Sequence, residues 1–215
     1  MGRPAPRRLP TRKILWAIQD EGGTAQPLIF VLAGHGDVLG GVIVADQEHA
    51  ERIRTLSRTM GPTLGPFESY LTMRGIKTFA LRMERQCSNA CRIATWLSSH
   101  PRISRVHYLA DPAHPDAAVV RRLMPHGLFG AVVSFEIKDA AKQDVFRFMD
   151  RLNLVVRATS LGDVHSLVLY PVIASHRDVA PKQRERMGIH DGLVRLCAGI
   201  EAVEDIIDDL EQALA

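Results

Sequence analysis

The chain has 215 residues, 27 Lys and Arg against 24 Asp and Glu, a formal net charge of +3 and 46% hydrophobic residues. That balance describes an ordinary globular protein of one domain, or of a small domain with part of another, and excludes a disordered or densely charged chain. No apolar run reaches the ~20 residues of a membrane span, and no stretch has the charged start, apolar centre and small-residue site of a secretory signal.

Arg3, Arg7, Arg8, Arg12 and Lys13 crowd the N-terminus beside Pro4, Pro6 and Pro10. No aromatic residue interleaves with them and the rest of the chain is close to neutral. Residues 1–27 therefore read as a disordered basic, Pro-rich segment, and nucleic acid and membrane are not expected partners. An apolar strand over 28–33, "LIFVLA", runs into a loop with four glycines, Gly34, Gly36, Gly40 and Gly41. A second apolar strand, "GVIVAD", follows over 41–46. Helix-forming residues run from Asp46 to Met60, and Gly61-Pro62 and Gly65-Pro66 then punctuate the chain.

The longest helical pattern runs from Pro66 to Ser99, with Phe67, Leu71, Ile76, Phe79, Met83, Ala90, Ile93, Ala94 and Leu97 on its apolar side. Gly75 marks a bend in it, and His100-Pro101 ends it. Beyond it strands and helices alternate. "ISRVHYL" (103–109) is a strand, 117–124 a short helix and "GAVVSFEIK" (130–138) a strong strand. Asp139 is the expected cap of a helix bearing Val145, Phe148, Met149 and Leu152. Strands follow over "LNLVVRATSL" and "HSLVLYP", a helix near 181–187 between Pro181 and Gly188, and a last strand over 193–200. The final helix puts Val203, Ile206, Ile207, Leu210 and Leu214 on one stripe, with Glu204, Asp205, Asp208, Asp209 and Glu211 outside it. From residue 101 onward the pattern is that of a small α/β or α+β domain, its mostly antiparallel sheet covered by helices.

The three cysteines, Cys87, Cys91 and Cys197, are too few and too odd for a disulfide framework. They imply reduced thiols and a cytoplasmic setting. Cys87 and Cys91 lie four apart on one helix, but no second Cys/His pair with zinc-like spacing follows, and no metal site is assigned.

Several of these segments resemble the C-terminal part of the Cys/Met-metabolism enzymes dependent on pyridoxal phosphate: cystathionine γ-synthase and γ-lyase, methionine γ-lyase and O-acetylhomoserine sulfhydrylase. "GHGDVLGGVIV" is similar to the segment that follows the family's catalytic lysine, and "GPFESYLTMRGIKTFALRMERQCSNA" to the helix that links its two domains. "GAVVSFEI", "SLGDVHSLVLYP", "SHRDVAP" and "GIHDGLVRLCAGIE" follow in the family's order. The resemblance implies an α/β fold: the C-terminal small domain plus the tail of the large domain of the type I, aspartate-aminotransferase-like fold. Residues 28–73 would be the tail of the large domain and the start of the linking helix, and 74–215 the small domain.

The resemblance also implies chemistry. The family's lysine forms an imine with pyridoxal 5'-phosphate, which acts as an electron sink while C–S bonds of homoserine- or cysteine-type substrates are made or broken. That lysine stands five residues before the loop histidine, and counting back from His35 gives Phe30. No catalytic residue is therefore assigned. Arg195 matches the arginine that pairs with the substrate α-carboxylate, a task suited to a planar guanidinium fork, and Ser160 matches the serine beside it. Asp163 and His165 stand where many members have glycine and glutamate, and Cys197 where serine is common. Three readings follow: a truncated family member inactive alone, half of a split enzyme completed by a partner chain, or a non-catalytic protein-interaction module. A homo-oligomer, or assembly with a family-member subunit, is compatible with each.

Overall fold

A computed structural model describes residues 32–40, 43, 45–61, 63–124 and 126–215. The expected disordered segment 1–27, most of the first strand and Phe30 lie outside the described residues. Leu32 and Ala33 form a turn, and Ile43, Ala45 and Asp46 belong to no strand. The second expected strand is thus not formed at its described positions.

Helix α1 spans Gln47–Met60. The Asp46 carboxylate accepts the His49 backbone N–H at 2.9 Å, and Gly61 closes the helix in the left-handed conformation. The long pattern that follows is two helices, α2 (Pro66–Ile76) and α3 (Phe79–Ser99), broken at Lys77-Thr78 rather than bent at Gly75. The break has a local cause. The Gly75 carbonyl accepts from the Thr78 N–H and from an Arg82 Nη2 donor at 2.9 Å, while the missing side chain of Gly75 lets the Ala33 backbone pass. A Cβ on Gly75 would lie 2.4 Å from the Ala33 carbonyl oxygen.

The remaining elements are β1 (Ile103–His107), α4 (Ala117–Leu123), β2 (Val132–Ile137), α5 (Lys142–Arg151), β3 (Val156–Arg157), β4 (Leu167–Leu169), α6 (Pro181–Arg186), β5 (Leu193–Cys197) and α7 (Val203–Leu214). The sheet order is β1-β2-β5-β4-β3, antiparallel except for the parallel pair β3/β4. Alternation along the strands sends Val133, Phe135, Val194 and Leu196 to one face. There they pack, fully buried, against Ile93 and Leu97 of α3, Val145 and Phe148 of α5, and Ile206 and Leu210 of α7. Phe135 and Phe148 meet edge to face with centroids 6.0 Å apart.

Two sequence expectations are corrected here. Asp139 is not a helix cap: it sits at φ 53° in the turn after β2, and α5 starts at Lys142, where the Asp144 carboxylate accepts the Ala141 N–H. Asp209 does not face solvent with its acidic neighbours. It is buried and accepts the backbone N–H groups of Asn153, Leu154 and Val155 at 2.8–2.9 Å. That capture also explains why the strand expected over 152–161 shrinks to Val156–Arg157, since three of its donors are spent on a carboxylate.

Candidate functional site

Arg195 occupies the middle of β5, paired in register with Ser134 of β2 and Leu169 of β4. The alternation that buries Val194 and Leu196 under the helices puts Arg195 on the opposite face of the sheet, with Leu193 and Cys197. Its Nη2 donates to the Ser160 carbonyl at 3.0 Å and to the Thr159 carbonyl at 3.3 Å. The two residues matched from sequence are therefore brought together, although Ser160 meets the guanidinium through its backbone and leaves its side chain exposed. Arg195 Nε is buried without a hydrogen-bond partner, a donor left available to an incoming acceptor. Burial pushes the neighbouring Cys197 thiol up, and the charge of Arg195 pulls the other way.

The Ser160 loop is held from behind. Gly162 turns it with φ 77°, and the Asp163 carboxylate then accepts the His165 N–H at 3.1 Å. The Val164 N–H donates to the Gly34 carbonyl at 3.0 Å, and the Ile200 N–H donates to the Val164 carbonyl at 2.8 Å. Three separate segments, 32–36, 161–166 and 199–201, thus meet at one place.

The fastening comes from α3. Arg82, Gln86 and Asn89, spaced four and three apart, lie on one face of the helix and are all buried. Arg82 Nη2 donates to the Leu32 carbonyl at 2.8 Å, Gln86 Nε2 to the Asp163 carbonyl, and Asn89 Nδ2 to the carbonyls of Gly199 and Glu201 at 3.0 Å. The Glu201 carboxylate in turn accepts the Ser166 N–H at 2.6 Å and its hydroxyl at 3.0 Å. Burial pushes the Arg82 pKa down from its ordinary value, and the charge of Asp163 works against that shift.

This arrangement explains the glycine loop. Gly34 and Gly36 adopt φ 69° and 67°. A Cβ on Gly34 would lie 1.6 Å from Arg82 Nη1, and one on Gly36 would lie 2.6 Å from Asp163 Oδ2. The loop is glycine-rich where the chain passes against α3 and the Asp163 turn. Sequence reading missed Arg82, Gln86, Asn89, Glu201 and Asp209. The available signal was the run of polar residues at positions 82, 86 and 89, on the inward side of a helix otherwise read by its apolar stripe.

Among the described residues, no group of three or more His, Cys, Asp or Glu is placed to hold a metal ion. Cys87 and Cys91 are free thiols, the first buried and the second half-buried on α3. No helix of the described residues is long and apolar enough to cross a membrane.

A family model described as Cys/Met metabolism PLP-dependent enzyme matches residues 31–215. The cystathionine beta-lyase of Coxiella burnetii is 40% identical over 185 residues, which are 85% of this chain and 47% of that protein. The L-methionine gamma-lyase of Fusobacterium nucleatum subsp. nucleatum is 44% identical over 188 residues, 85% of this chain and 46% of its own. Among solved structures, a cystathionine gamma lyase from Micromonospora echinospora superposes with a TM-score of 0.80 at 38% identity, covering 86% of this chain and 48% of that one. A cystathionine gamma synthase from Xanthomonas oryzae pv. oryzae gives 0.79 at 36% identity, covering 86% and 47%. The chain spans about half the length of the curated relatives it matches.

Proposed function

The chain belongs to the Cys/Met metabolism PLP-dependent enzyme family, and we propose that it supplies the substrate-carboxylate side of such an enzyme and turns over no substrate with these residues alone. On this reading 74–215 is the small domain, 28–73 carries the tail of the large one, and the substrate is a sulfur-containing amino acid. Arg195 would receive its α-carboxylate, with Ser160 beside it.

The observation that carries the proposal is the state of Arg195. A guanidinium in the centre of a sheet, with a buried Nε–H that nothing satisfies, is costly as a purely structural group. A carboxylate entering along the open side of the fork would satisfy that donor and neutralise the charge. The Asp163–Val164 turn, pinned by Gln86 and by the Gly34 carbonyl, keeps the Ser160 loop in place beside it.

The described residues do not by themselves fit pyridoxal phosphate. Lys77, Lys138, Lys142 and Lys182 are all exposed, and the residues gathered around Arg195 include no amine. In sequence the position of the family's imine-forming lysine is Phe30. When bound in the family's enzymes that cofactor stabilises negative charge on the substrate carbon, and no step of that kind is assigned to this chain.

The test is spectroscopic. The purified chain with added pyridoxal phosphate should show no imine absorbance, and borohydride should trap no lysine. Supplied with the N-terminal half of a relative that bears the lysine, it should gain the band and cleave cystathionine or methionine. Arg195→Ala should then lower kcat/KM by about a hundredfold or more, the loss of a two-bond charge-assisted contact. A lysine of the isolated chain trapped by borohydride would overturn the proposal.

A further inference from the structure

The C-terminal half of α3 and the chain that leaves β1 enclose a cavity of about 350 Å³. It is separate from the site around Arg195. Val106, in its wall, pairs with Phe135 and so belongs to the helix side of the sheet, whereas Arg195 belongs to the other side. Cys91, Ala94, Thr95 and Ser98 form the helix wall, because residues three and four apart share one flank. Local turns fold the opposite wall into place. The Asp111 N–H donates to the Tyr108 carbonyl at 3.1 Å, and the Asp111 carboxylate accepts the Ala113 N–H at 2.8 Å, which holds Ala110 and Pro112 in the facing wall. Ala94, Ala110 and Pro112 are short, and their size leaves the space. A cavity of this volume lies at the lower end of the range that takes small organic ligands.

The polar groups of the wall have one property in common. The Thr95 hydroxyl donates to the Cys91 carbonyl at 2.9 Å, the Ser98 hydroxyl to the Ala94 carbonyl at 2.8 Å, and the Tyr108 hydroxyl to the Gly130 carbonyl at 3.0 Å. Each has spent its single hydrogen and keeps acceptor lone pairs. Asp111 adds an exposed carboxylate, and among the described residues no Lys, Arg or His forms an ion pair with it. The one hydrogen left in the wall is the weakly donating thiol of Cys91. We propose that this cavity binds a small organic ammonium, its apolar body against Ala94, Val106, Ala110 and Pro112 and its N–H head at Asp111. An anion would meet the carboxylate and the spent hydroxyls, and a neutral acceptor would lose its water without gaining a donor. A cation bearing N–H groups matches both the charge and the lone pairs. The proposal is independent of how Arg195 is used.

The test uses the full chain and benzylammonium, with benzyl alcohol and benzoate as neutral and anionic counterparts of the same shape, at constant ionic strength. Cys91 reports occupancy, since its half-buried thiol lies in the wall. Saturating benzylammonium should slow its modification by a neutral thiosulfonate about tenfold or more. Benzyl alcohol should need about fivefold higher concentration for the same protection, the size of a half-exposed ion pair, and benzoate should not protect. Asp111→Asn keeps the oxygen that holds the Ala113 N–H, and should bring benzylammonium and benzyl alcohol to the same half-protecting concentration. Thr95→Trp, made at an exposed position of the helix wall, should fill the cavity and remove the protection by both. No protection by benzylammonium, equal protection by benzoate, an ammonium preference that survives Asp111→Asn, or protection that survives Thr95→Trp would each overturn the proposal. Should Asp111→Asn fail to fold, the charge series on the parent and the Thr95→Trp result decide it.

Discussion

Replacing Asp209 by alanine is the perturbation with the largest expected effect outside the apolar core. Its carboxylate accepts three successive backbone N–H groups, those of Asn153, Leu154 and Val155, and a fourth donor from Gln212 Nε2 at 3.0 Å. Hydrogen bonds to a charged acceptor contribute about 1.5–3 kcal/mol each when the site is buried. The Val155 bond is fully enclosed, whereas the other two backbone bonds are partly buried and regain water when the acceptor goes. One full bond, two discounted ones and an orphaned buried donor give a loss of about 3–4 kcal/mol for Asp209→Ala, and about 2 kcal/mol for Asp209→Asn, which keeps one acceptor.

Urea unfolding at neutral pH measures it as a lowered midpoint at unchanged slope. Acidity gives a second reading. Burial pushes the Asp209 carboxyl up, but the backbone donors of Val155, Asn153 and Leu154 outweigh it and hold the group below its usual 3.8. A depressed folded pKa means the contribution is complete above the unfolded value and is lost as pH falls below 3.8 through the folded one. Asp209→Asn should therefore flatten the acid limb of the stability curve. A loss under about 0.5 kcal/mol, within the range of ordinary surface substitutions, together with an unaltered acid limb, would refute the reasoning.

Gly34→Ala forces a side chain into the Arg82 guanidinium at a backbone conformation that alanine adopts poorly. We expect a loss of about 2 kcal/mol and faster amide exchange at Val164, which donates to the Gly34 carbonyl. Protection at Val164 equal to the parent would count against the fastening described above. The cysteines should separate by burial. Cys91 is half-buried, whereas Cys87 and Cys197 are enclosed and burial pushes both thiols up. A disulfide reagent should therefore label Cys91 first and the other two roughly tenfold or more slowly until the protein unfolds. Rapid labelling of Cys197 would contradict its placement. Tyr170 donates to the Asp191 carbonyl at 2.7 Å, and burial pushes its hydroxyl up to about 12. A raised folded pKa contributes stability below the unfolded value and loses it as pH rises toward 12, so Tyr170→Phe should cost about 1 kcal/mol at pH 8 and progressively less in alkali. An equal difference at both ends of that range would refute it.

The parts of the fold legible in sequence were those set by local periodicity. The apolar recurrences of α3, α5 and α7, the strong strand at Val132–Ile137 and the proline and glycine bracketing of α6 all follow from side-chain spacing over one or two turns. Long-range polar contacts left no such trace. Asp209 looks like any acidic residue of an exposed face until the chain at 153–155 is brought against it, and the same event shortens a strand whose composition argues for more. The break between α2 and α3 arises where Gly75 gives its carbonyl to Arg82 and its missing side chain to Ala33, and the second of these depends on another segment crossing there. Arg195 and Ser160 were visible only through the spelling of their surrounding segments. Their meeting depends on β5 and a loop 35 residues away in sequence, and it uses the Ser160 carbonyl instead of the hydroxyl.

The Arg82 guanidinium sits astride the junction of α2 and α3, with the Gly75 carbonyl on one side, the Thr78 hydroxyl at its own Nε, and the incoming Leu32 carbonyl on the other. An interruption between two helices is ordinarily a place where a molecule swings. Braced in this way it becomes an elbow held by three hydrogen bonds to one guanidinium. Ordering a loose backbone residue costs about 1–2 kcal/mol. For α2 that entropy is surrendered when the chain folds, and a single buried cation holds the contacts that set its direction against α3.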